Sequence, residues 1–264
     1  MKKFIQKILN FLGYKLTKIQ TVECTDLDEI TKLIIRKPEP VVFDVGANTG
    51  QSIVRYKKIF QKPTIHSFEP NPDHTNSLSE TYQTDKNVII NNVGVGEKEE
   101  NLEFNVYVKT GSSSYKEIVQ STTWLKTRSK TCKVDSKDFK TKTINSKVIT
   151  LDDYAKKNNI ENIDILKIDT QGFEDKVLLG AKNLIKENRI KLIQVELIFS
   201  EIYESPLQIY DVEKTLIPNN YKFFGTSNGG SLISYFVYQS DSIYISQDTY
   251  EDFKLSSPYI FHNK

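Results

Sequence analysis

The sequence has very little sulfur and no long apolar run. Only two cysteines occur among its 264 residues, Cys24 and Cys132, and they lie far apart in no metal-like spacing. This scarcity excludes a disulfide scaffold, gives no zinc motif and indicates a reducing, cytosolic compartment. No uninterrupted run of about 18 apolar residues occurs, so the sequence predicts no membrane-spanning helix.

The chain also lacks an excess of either charge. It has 36 Lys and Arg against 34 Asp and Glu, which leaves a formal net charge of +2. A hydrophobic content of 38% and a charged content of 27% exclude an intrinsically disordered chain. The near-neutral total does not favour a protein that binds nucleic acid over its whole surface. The length permits one α/β domain with a sizeable core.

The charges are unevenly distributed along this neutral chain. Residues 109–147 carry ten Lys and Arg against three acids, about +7, and residues 1–20 carry about +5. The rest of the chain is therefore acidic. The segment 109–147 is rich in Ser and Thr and interrupts the alternation of strands and helices, so it is predicted to be an inserted loop or lid. Tyr115 and Trp124 indicate that part of it packs against something.

Residues 1–20 have the pattern of an amphipathic helix. One interpretation is a helix that lies on an anionic membrane surface, and the other, which we favour, is a terminal helix that packs on the domain. No small-residue cleavage site follows, so a signal peptide is not expected. We predict a helical extension over 1–37 and a cytoplasmic protein, with contact to the inner membrane face as the alternative. The apolar residues spaced three and four apart are Phe4, Ile5, Ile8, Leu9, Phe11 and Leu12.

From residue 38 onward, strand patterns alternate with helix patterns. This order predicts an α/β fold with a mostly parallel sheet, helices on both faces and an antiparallel hairpin at the C-terminal edge. No repeat or Pro/Gly-rich linker divides the sequence, so we predict one domain over 38–264. The predicted strands are 41–45, 64–68, 88–90, 102–108, 163–168, 190–199, 221–224, 233–238 and 242–245. The predicted helices cover 51–60, 173–186 and 206–216 and begin near 72 and 151.

A glycine-bearing turn, DVGANTG over residues 44–50, follows the first strand. Small residues let the backbone pass close to a ligand, and the next helix presents unpaired N–H groups. The spacing lacks the G-x-G-x-x-G pattern that dinucleotide-binding turns have. Glu69 ends the second strand about 20 residues later and suits a ribose diol. Together these features favour an adenosine ligand without a diphosphate, such as S-adenosylmethionine. The alternative is that Gly46 and Gly50 only form the turn and that Glu69 only precedes a helix.

Carboxylates follow or interrupt two later strands. Asp169 ends a buried strand and Glu174 falls in the first turn of the next helix, so both are expected at the edge where open α/β sheets bind ligands. Glu196 lies in an otherwise apolar strand, where a carboxylate must be paired, hydrogen-bonded or bound to metal. The structural alternatives are stabilisation of a helix start for Glu174 and a satisfied buried acid for Glu196. Mg²⁺ held by Asp169 and Glu196 would be consistent with these oxygen ligands, but nothing in the sequence requires a metal.

The motifs FDVGANTG, FEP, LKIDTQGFE and VEL occur in this order over roughly residues 40–200 and resemble the FkbM family of S-adenosylmethionine-dependent methyltransferases. The resemblance implies the class I methyltransferase fold, a seven-stranded sheet with the last strand antiparallel. It also implies O-methylation, commonly of a sugar hydroxyl in glycan or secondary-metabolite biosynthesis. The basic segment 109–147 does not map onto the family's pattern. By position, the resemblance places Asp44, Gly46, Asn48 and Gly50 at the methionine end of the cofactor, Glu69 at its ribose, Asn92 and Val93 near its adenine, and Asp169 near the methyl group.

Methyl transfer to a sugar hydroxyl requires alignment and a proton acceptor. We expect Asp169 to accept or position the hydroxyl proton, with Glu174 and Glu196 as supporting catalytic residues. His66 is the rival base, although a histidine in an apolar strand is more often a core-facing or a surface residue. The expected partner is a glycan or a nucleotide- or lipid-linked sugar.

Two alternatives from other classes remain at this stage. One is a nucleotide-dependent sugar-modifying enzyme of Rossmann type, and the other is a non-catalytic S-adenosylmethionine-binding scaffold at the membrane. The missing G-x-G-x-x-G argues against the first. No nucleic-acid partner is expected, because the basic segment 109–147 has few aromatic residues for base stacking.

Overall fold

The computed structural model describes residues 26–227 and 239–256 of the chain. Its largest feature is a seven-stranded sheet in the order β3-β2-β1-β7-β8-β10-β9. The strands are β1 (Val41–Val45), β2 (Thr64–Phe68), β3 (Val88–Asn91), β4 (Gly94–Val95), β5 (Glu100–Tyr107), β6 (Lys140–Ile149), β7 (Ile163–Ile168), β8 (Ile190–Ile198), β9 (Lys222–Thr226) and β10 (Gln239–Ile245). The helices are α1 (Leu27–Ile34), α2 (Gln51–Ile59), α3 (Pro72–Thr81), α4 (Thr123–Cys132), α5 (Leu151–Lys157), α6 (Glu174–Leu179), α7 (Lys182–Lys186), α8 (Ile209–Leu216) and α9 (Gln247–Ser256).

The sheet is parallel from β3 to β8, and β10 is antiparallel to both of its neighbours. The predicted α/β class and the mostly parallel seven-stranded sheet are therefore confirmed. The strands β1, β2 and β3 follow one another from the centre of the sheet to one edge. The chain then returns to the centre, where β7 pairs with β1 and starts the other half of the sheet. The carboxyl ends of β1 and β7 thus form a topological switch point, where open α/β sheets bind their ligands.

Helices cover both faces of this sheet, as predicted. On one face α5, α6, α7 and α8 pack with the strands in a buried cluster that includes Leu151, Val177 and Val212. On the other face α1, α2 and α3 pack in a second cluster that includes Ile30, Ile53 and Leu78. Burial on both faces is the reason that β1, β7 and β8 are almost continuously apolar in sequence.

The segment 109–147 is more regular than the predicted loop or lid. It contains α4 and most of β6, and β6 pairs with β5 from Glu100↔Val148 to Tyr107↔Lys140 in a second sheet of order β4-β6-β5. Most side chains of β6 are exposed, so its sequence lacks the apolar alternation that marks a strand. The indole of Trp124 meets the ring of Phe139 edge-on at 6.1 Å, so the expected packing of this aromatic residue is found.

The helix predicted over 173–186 is instead two short helices, α6 and α7. The break lies at Gly180, where an added Cβ would come within 2.0 Å of the carbonyl oxygen of Gly96. The backbone therefore packs directly against the loop after β4, and only glycine fits there. The carboxylate of Asp152 accepts hydrogen bonds from the N–H groups of Asn183 and Leu184 and caps the start of α7.

Three predictions fall wholly or partly on undescribed parts of the chain. The amphipathic segment 1–20 and the strand over 233–238 lie outside the described residues, and the domain boundary at 37/38 stays a prediction. Within the described part, α1 packs on the sheet after a cap in which Asp26 accepts from the N–H groups of Asp28 and Glu29. No helix in the described ranges is long and apolar enough to cross a membrane.

Candidate active site

A cleft of about 530 Å³ opens at the carboxyl ends of β1, β2 and β7. We call the wall that is formed by the ends of these strands and their loops the floor. The opposite wall, which is formed by residues 104–115, is called the roof. The floor includes Val45, Gly46, Asn48, Phe68, Glu69, Asp169, Thr170 and Gln171, and the roof consists of Phe104, Thr110, Gly111, Ser113 and Tyr115.

Gly46 joins the strand ends that build the floor. Its φ is +83°, and a Cβ at this position would lie 1.8 Å from the carbonyl oxygen of Asp169. The N–H of Gly46 donates to the Phe68 carbonyl at 3.0 Å, and the N–H of Asp169 donates to the Val45 carbonyl at 3.0 Å. The turn therefore needs glycine for both its conformation and its closeness to the next loop.

Glu69 is buried at the end of β2 and holds the turn after β1. Its two carboxylate oxygens accept hydrogen bonds from the N–H groups of Asn48 at 2.8 Å and Asn71 at 2.9 Å. Burial raises the pKa of Glu69 to about 7, against the opposing effect of these two hydrogen bonds. A carboxylate oxygen has two lone pairs, so Glu69 keeps acceptor capacity toward the cleft.

Lys167 is a buried cation beneath the floor. Its Nζ lies 3.4 Å from Oδ1 of Asp44 and 3.3 Å from Oδ2 of Asp169. Burial alone would lower the pKa of Lys167, but the two carboxylates more than offset it and raise the value well above its ordinary range. Asp44 is fully buried, and neither of its oxygens has a hydrogen-bond partner among the described residues. Burial raises the pKa of Asp44, and Lys167 limits the rise.

Asp169 and Glu196 are joined by the side chain of Gln171. The Nε2 of Gln171 donates to Oδ1 of Asp169 at 2.8 Å and to Oε2 of Glu196 at 2.5 Å. Burial, the charge of Asp169 and a hydrogen bond between the two carboxyls raise the pKa of Glu196 to about 9. Burial would also raise the pKa of Asp169, but Lys167 and Gln171 outweigh it and lower the value. These surroundings therefore favour the ionised form of Asp169 and the protonated form of Glu196.

Glu174 lies behind the loop that follows β7. Its Oε1 accepts from the N–H and the hydroxyl of Thr170, at 2.9 and 3.1 Å, and both of its oxygens accept from the N–H of Gly172. Burial raises the pKa of Glu174 to about 7, while these hydrogen bonds oppose the rise. The side chain does not line the cleft. Its contacts are those of a residue that holds the Thr170–Gln171 loop in place.

The predicted site residues are only partly brought together. Gly46, Asn48, Glu69 and Asp169 line the cleft, whereas Asp44 lies beneath it. Gly50 begins α2 with a φ of +88° and faces Leu78 rather than the cleft.

The two residues predicted near the adenine do not line the cleft. The side-chain amide of Asn92 donates to the carbonyls of Glu69 and Pro70, at 3.1 and 3.2 Å, and so fixes the end of β2. Val93 packs against the core. Their proposed roles stay predictions.

His66, the rival base, does not line the cleft. It lies inside β2 with its ring 5.2 Å from that of Phe43, and its Nδ1 is 2.9 Å from the hydroxyl of Tyr154. Burial lowers the pKa of His66 to about 4, so the ring is neutral at pH 7. The histidine belongs to the core, which is the outcome favoured from the sequence.

The sequence predicted a loop or lid over 109–147 but did not indicate which of its residues cover the cleft. Tyr115 covers the cleft with its hydroxyl against the backbone of Gly94, where an added Cβ would lie 1.8 Å away. Tyr203 is a further link, because its hydroxyl donates to the Ser112 carbonyl at 2.8 Å and to Oε1 of Gln171 at 3.1 Å. The only available signal was the presence of aromatic residues in a polar segment, which indicates packing without indicating against what.

Metal binding has limited support from the arrangement of these groups. In the described ranges no group of three or more His, Cys, Asp or Glu side chains is placed to hold a metal ion. An amide N–H of Gln171 lies between the carboxyls of Asp169 and Glu196, where a bridging cation would have to bind. The predicted Mg²⁺ therefore stays an untested prediction.

The comparison with known families decides the class of the protein. The model of the methyltransferase FkbM domain matches residues 44–223, which is more than half of the chain. The chain belongs to the FkbM family of methyltransferases. The match covers the glycine turn, Glu69, the β7 motif and β8, so it includes the floor of the cleft. The seven-stranded sheet is the class I methyltransferase fold that the resemblance implied.

Individual relatives are more distant. A 2-O-methyltransferase, NoeI of Sinorhizobium fredii, is 24% identical over 176 residues, which cover 67% of this chain and 70% of NoeI. Among solved structures, a 1,6-didemethyltoxoflavin-N1-methyltransferase of Burkholderia thailandensis, with S-adenosylhomocysteine bound, is 8% identical with a TM-score of 0.46, over 85% of this chain and 78% of that one. Fibrillarin of Aeropyrum pernix, with S-adenosyl-L-methionine bound, is 10% identical with a TM-score of 0.41, over 79% of this chain and 67% of that one.

Proposed function

We propose that this FkbM-family methyltransferase transfers a methyl group from S-adenosylmethionine to a hydroxyl of a sugar. The observation that carries the proposal is the position of the Asp169 carboxyl group, which lies in the same cleft wall as Asn48 and Glu69. A hydroxyl needs a proton acceptor to become a good nucleophile, and Asp169 is such an acceptor at neutral pH. The relative NoeI, whose name specifies methyl transfer to oxygen, supports the choice of a hydroxyl.

The floor has the groups that S-adenosylmethionine requires. The buried Oδ1 of Asn48 has no hydrogen-bond partner among the described residues, so it is available to the ammonium of the methionine end. Glu69 keeps acceptor capacity for the ribose hydroxyls, and Gly46 leaves the backbone bare beside the cleft. When bound, the cofactor supplies a methyl group on a sulfonium. Asp44, beneath the floor, adds negative charge that suits this cation.

Side chains of the protein then accept the proton and position the acceptor. During methyl transfer Asp169 would accept the proton of the acceptor hydroxyl. Lys167 and Gln171 hold the Asp169 carboxylate from two sides, at 3.3 and 2.8 Å, and fix its orientation. Glu196, protonated at neutral pH, does not add a second negative charge beside it. Holding the reacting atoms in line accounts for most of the work in such a displacement.

The first test separates cofactor binding from catalysis. Calorimetry should show that S-adenosylmethionine binds the wild type and binds Glu69→Ala much more weakly, because the ribose loses its carboxylate partner. Asp169→Asn should bind the cofactor normally and lose about 10²-fold or more in labelled methyl transfer to a panel of sugars, nucleotide-sugars and cell-envelope glycans. Asp248→Asn, an exposed change on α9, is the control and should behave as the wild type.

Three results would contradict the proposal. Absence of S-adenosylmethionine binding would remove the cofactor assignment, and full activity of Asp169→Asn would remove Asp169 as the proton acceptor. Binding without transfer to any sugar acceptor would instead support the non-catalytic scaffold.

A further inference from the structure

The segment between β8 and α8 is joined to the chain just after the roof. The N–H of Val119 donates to the carbonyl of Ile202 at 2.9 Å. The N–H of Glu204 donates to the carbonyl of Glu117 at 3.1 Å. Tyr203 lies between these two contacts and is buried. The backbone on both sides of Tyr203 is therefore fixed relative to the roof.

The hydroxyl of Tyr203 lies between one group of the roof and one group of the floor. It is 2.8 Å from the carbonyl oxygen of Ser112 and 3.1 Å from Oε1 of Gln171. Both oxygens are acceptors, and burial raises the pKa of Tyr203, so the hydroxyl keeps its proton and shares it between them. The roof also binds the backbone of Gln171, because the hydroxyl of Ser114 donates to the Gln171 carbonyl at 2.8 Å.

Each polar atom of the Gln171 side chain has a partner. Nε2 donates to the carboxyls of Asp169 and Glu196, and Oε1 accepts from Tyr203. An ionised Asp169 can only accept hydrogen bonds, so the N–H side of the amide must face it and Oε1 must face Tyr203. The φ of Gln171 is +58°, a left-handed conformation that a residue other than glycine adopts only where its surroundings hold it.

We propose that Tyr203 is a positioning residue for methyl transfer, which acts through Gln171 to orient the carboxyl of Asp169. This inference rests on the proposed function, because it concerns the residue that would accept the hydroxyl proton. The hydrogen bond to Oε1 prevents rotation of the amide and so keeps its N–H groups on the two carboxyls. Since the same hydroxyl also binds the Ser112 carbonyl, the orientation of Asp169 depends on the roof being in place over the cleft.

Tyr203→Phe tests this link because it removes the hydroxyl and keeps the ring. In protein labelled with nitrogen-15 glutamine, the side-chain amide resonances of Gln171 are those that are absent from Gln171→Leu. We expect their protons to exchange with solvent about tenfold faster in Tyr203→Phe than in the wild type, as expected for the loss of a hydrogen bond.

Tyr221→Phe is the matched control for this experiment. It also removes a buried hydroxyl, one that donates to the carbonyl of Ile190 at 2.7 Å, at the opposite end of β8. The Gln171 amide protons should exchange at the wild-type rate in this variant, because its hydroxyl has no contact with the cleft.

Turnover gives a second and independent measurement. Tyr203→Phe should lower kcat about tenfold and leave the affinity for S-adenosylmethionine within about twofold of the wild type, whereas Tyr221→Phe should change neither. Added to Gln171→Leu, Tyr203→Phe should lower kcat further by less than about twofold, because the link is already broken.

Three results would overturn the proposal. The first is an unchanged exchange rate in Tyr203→Phe. The second is a full additional loss of kcat in the double variant, which would show that Tyr203 does not act through Gln171. The third is a loss of cofactor affinity in place of kcat, which would show that Tyr203 only maintains the shape of the cleft. The exchange rate requires no acceptor, so failure of the proposed sugar methylation would be seen separately.

Discussion

The backbone of Gly46 passes so close to that of Asp169 that no side chain fits between them. We predict that Gly46→Ala lowers the free energy of unfolding by about 1–3 kcal/mol and weakens S-adenosylmethionine binding, because the methyl group meets a backbone carbonyl and the φ is left-handed. Gly111→Ala is the control in the same cleft, where the nearest atom to an added Cβ is the Asn48 Nδ2 at 3.5 Å. Chemical denaturation and calorimetry measure both effects, and equal stability of the two variants would contradict the prediction.

Residues of the floor could be predicted from the sequence where they directly follow the end of a strand. Glu69 and Asp169 were predicted in this way, because a carboxylate at the end of a parallel strand must lie at the ligand-binding edge. Lys167 and Gln171 stand in the same motif as Asp169 but were not selected. Whether a lysine inside a strand points to solvent or into a buried charge cluster depends on its neighbours in space, here Asp44 from β1.

At the scale of elements, the loop between β7 and α6 holds Asp169, the carboxylate that we propose as the proton acceptor. We predict that Glu174→Gln lowers kcat about tenfold or more, because an amide nitrogen would face the N–H groups that now bind the carboxylate, and an unsatisfied buried group costs about 1–3 kcal/mol. The apparent pKa on the acidic limb of the kcat/KM profile should not move, since Glu174 would act only through the loop. Glu97→Gln, an exposed change in the loop after β4, is the control. Loss of that acidic limb in Glu174→Gln would make Glu174 the proton acceptor itself.

Strands and helices were predicted well where their burial leaves a regular pattern of apolar residues in the sequence, and poorly where it does not. β2 was predicted with the observed limits, and α3 begins at Pro72 as predicted, after a cap in which Asn71 accepts from the N–H of Asp73. β6 was hidden because its pairing with β5 leaves most of its side chains in solvent. The sequence also did not predict the break between α6 and α7. The break lies at Gly180, which packs against the backbone of Gly96, a residue from a distant part of the chain.

At the scale of the whole molecule, three buried glutamates make stability depend on pH. The pKa values of Glu69 and Glu174 are raised to about 7 and that of Glu196 to about 9. The folded state therefore holds these protons more tightly than the unfolded state. Their contribution to stability is complete below the ordinary pKa of glutamate and is lost as the pH rises through the folded-state values.

We predict that the free energy of unfolding falls between pH 7 and pH 9 and that Glu196→Gln reduces this fall, because glutamine has no proton to lose. One proton changes the slope by at most about 1.4 kcal/mol per pH unit. Denaturation at several pH values measures the difference between the two proteins. Glu103→Gln, an exposed change on β5, is the control, and its free energy of unfolding should change with pH in the same way as that of the wild type. Parallel curves for Glu196→Gln and the wild type would show that Glu196 is not protonated in the folded state.

The floor and the roof of the cleft come from different sheets, and this has a consequence for how the family diversifies. The groups proposed for the cofactor lie at the ends of β1, β2 and β7, whereas the roof lies within the contiguous stretch 104–115. Exchange of that single stretch between relatives would alter the recognition of the acceptor and leave the methyl-donor machinery intact. We therefore expect acceptor preference to be changeable through this one short stretch while the floor keeps its structure.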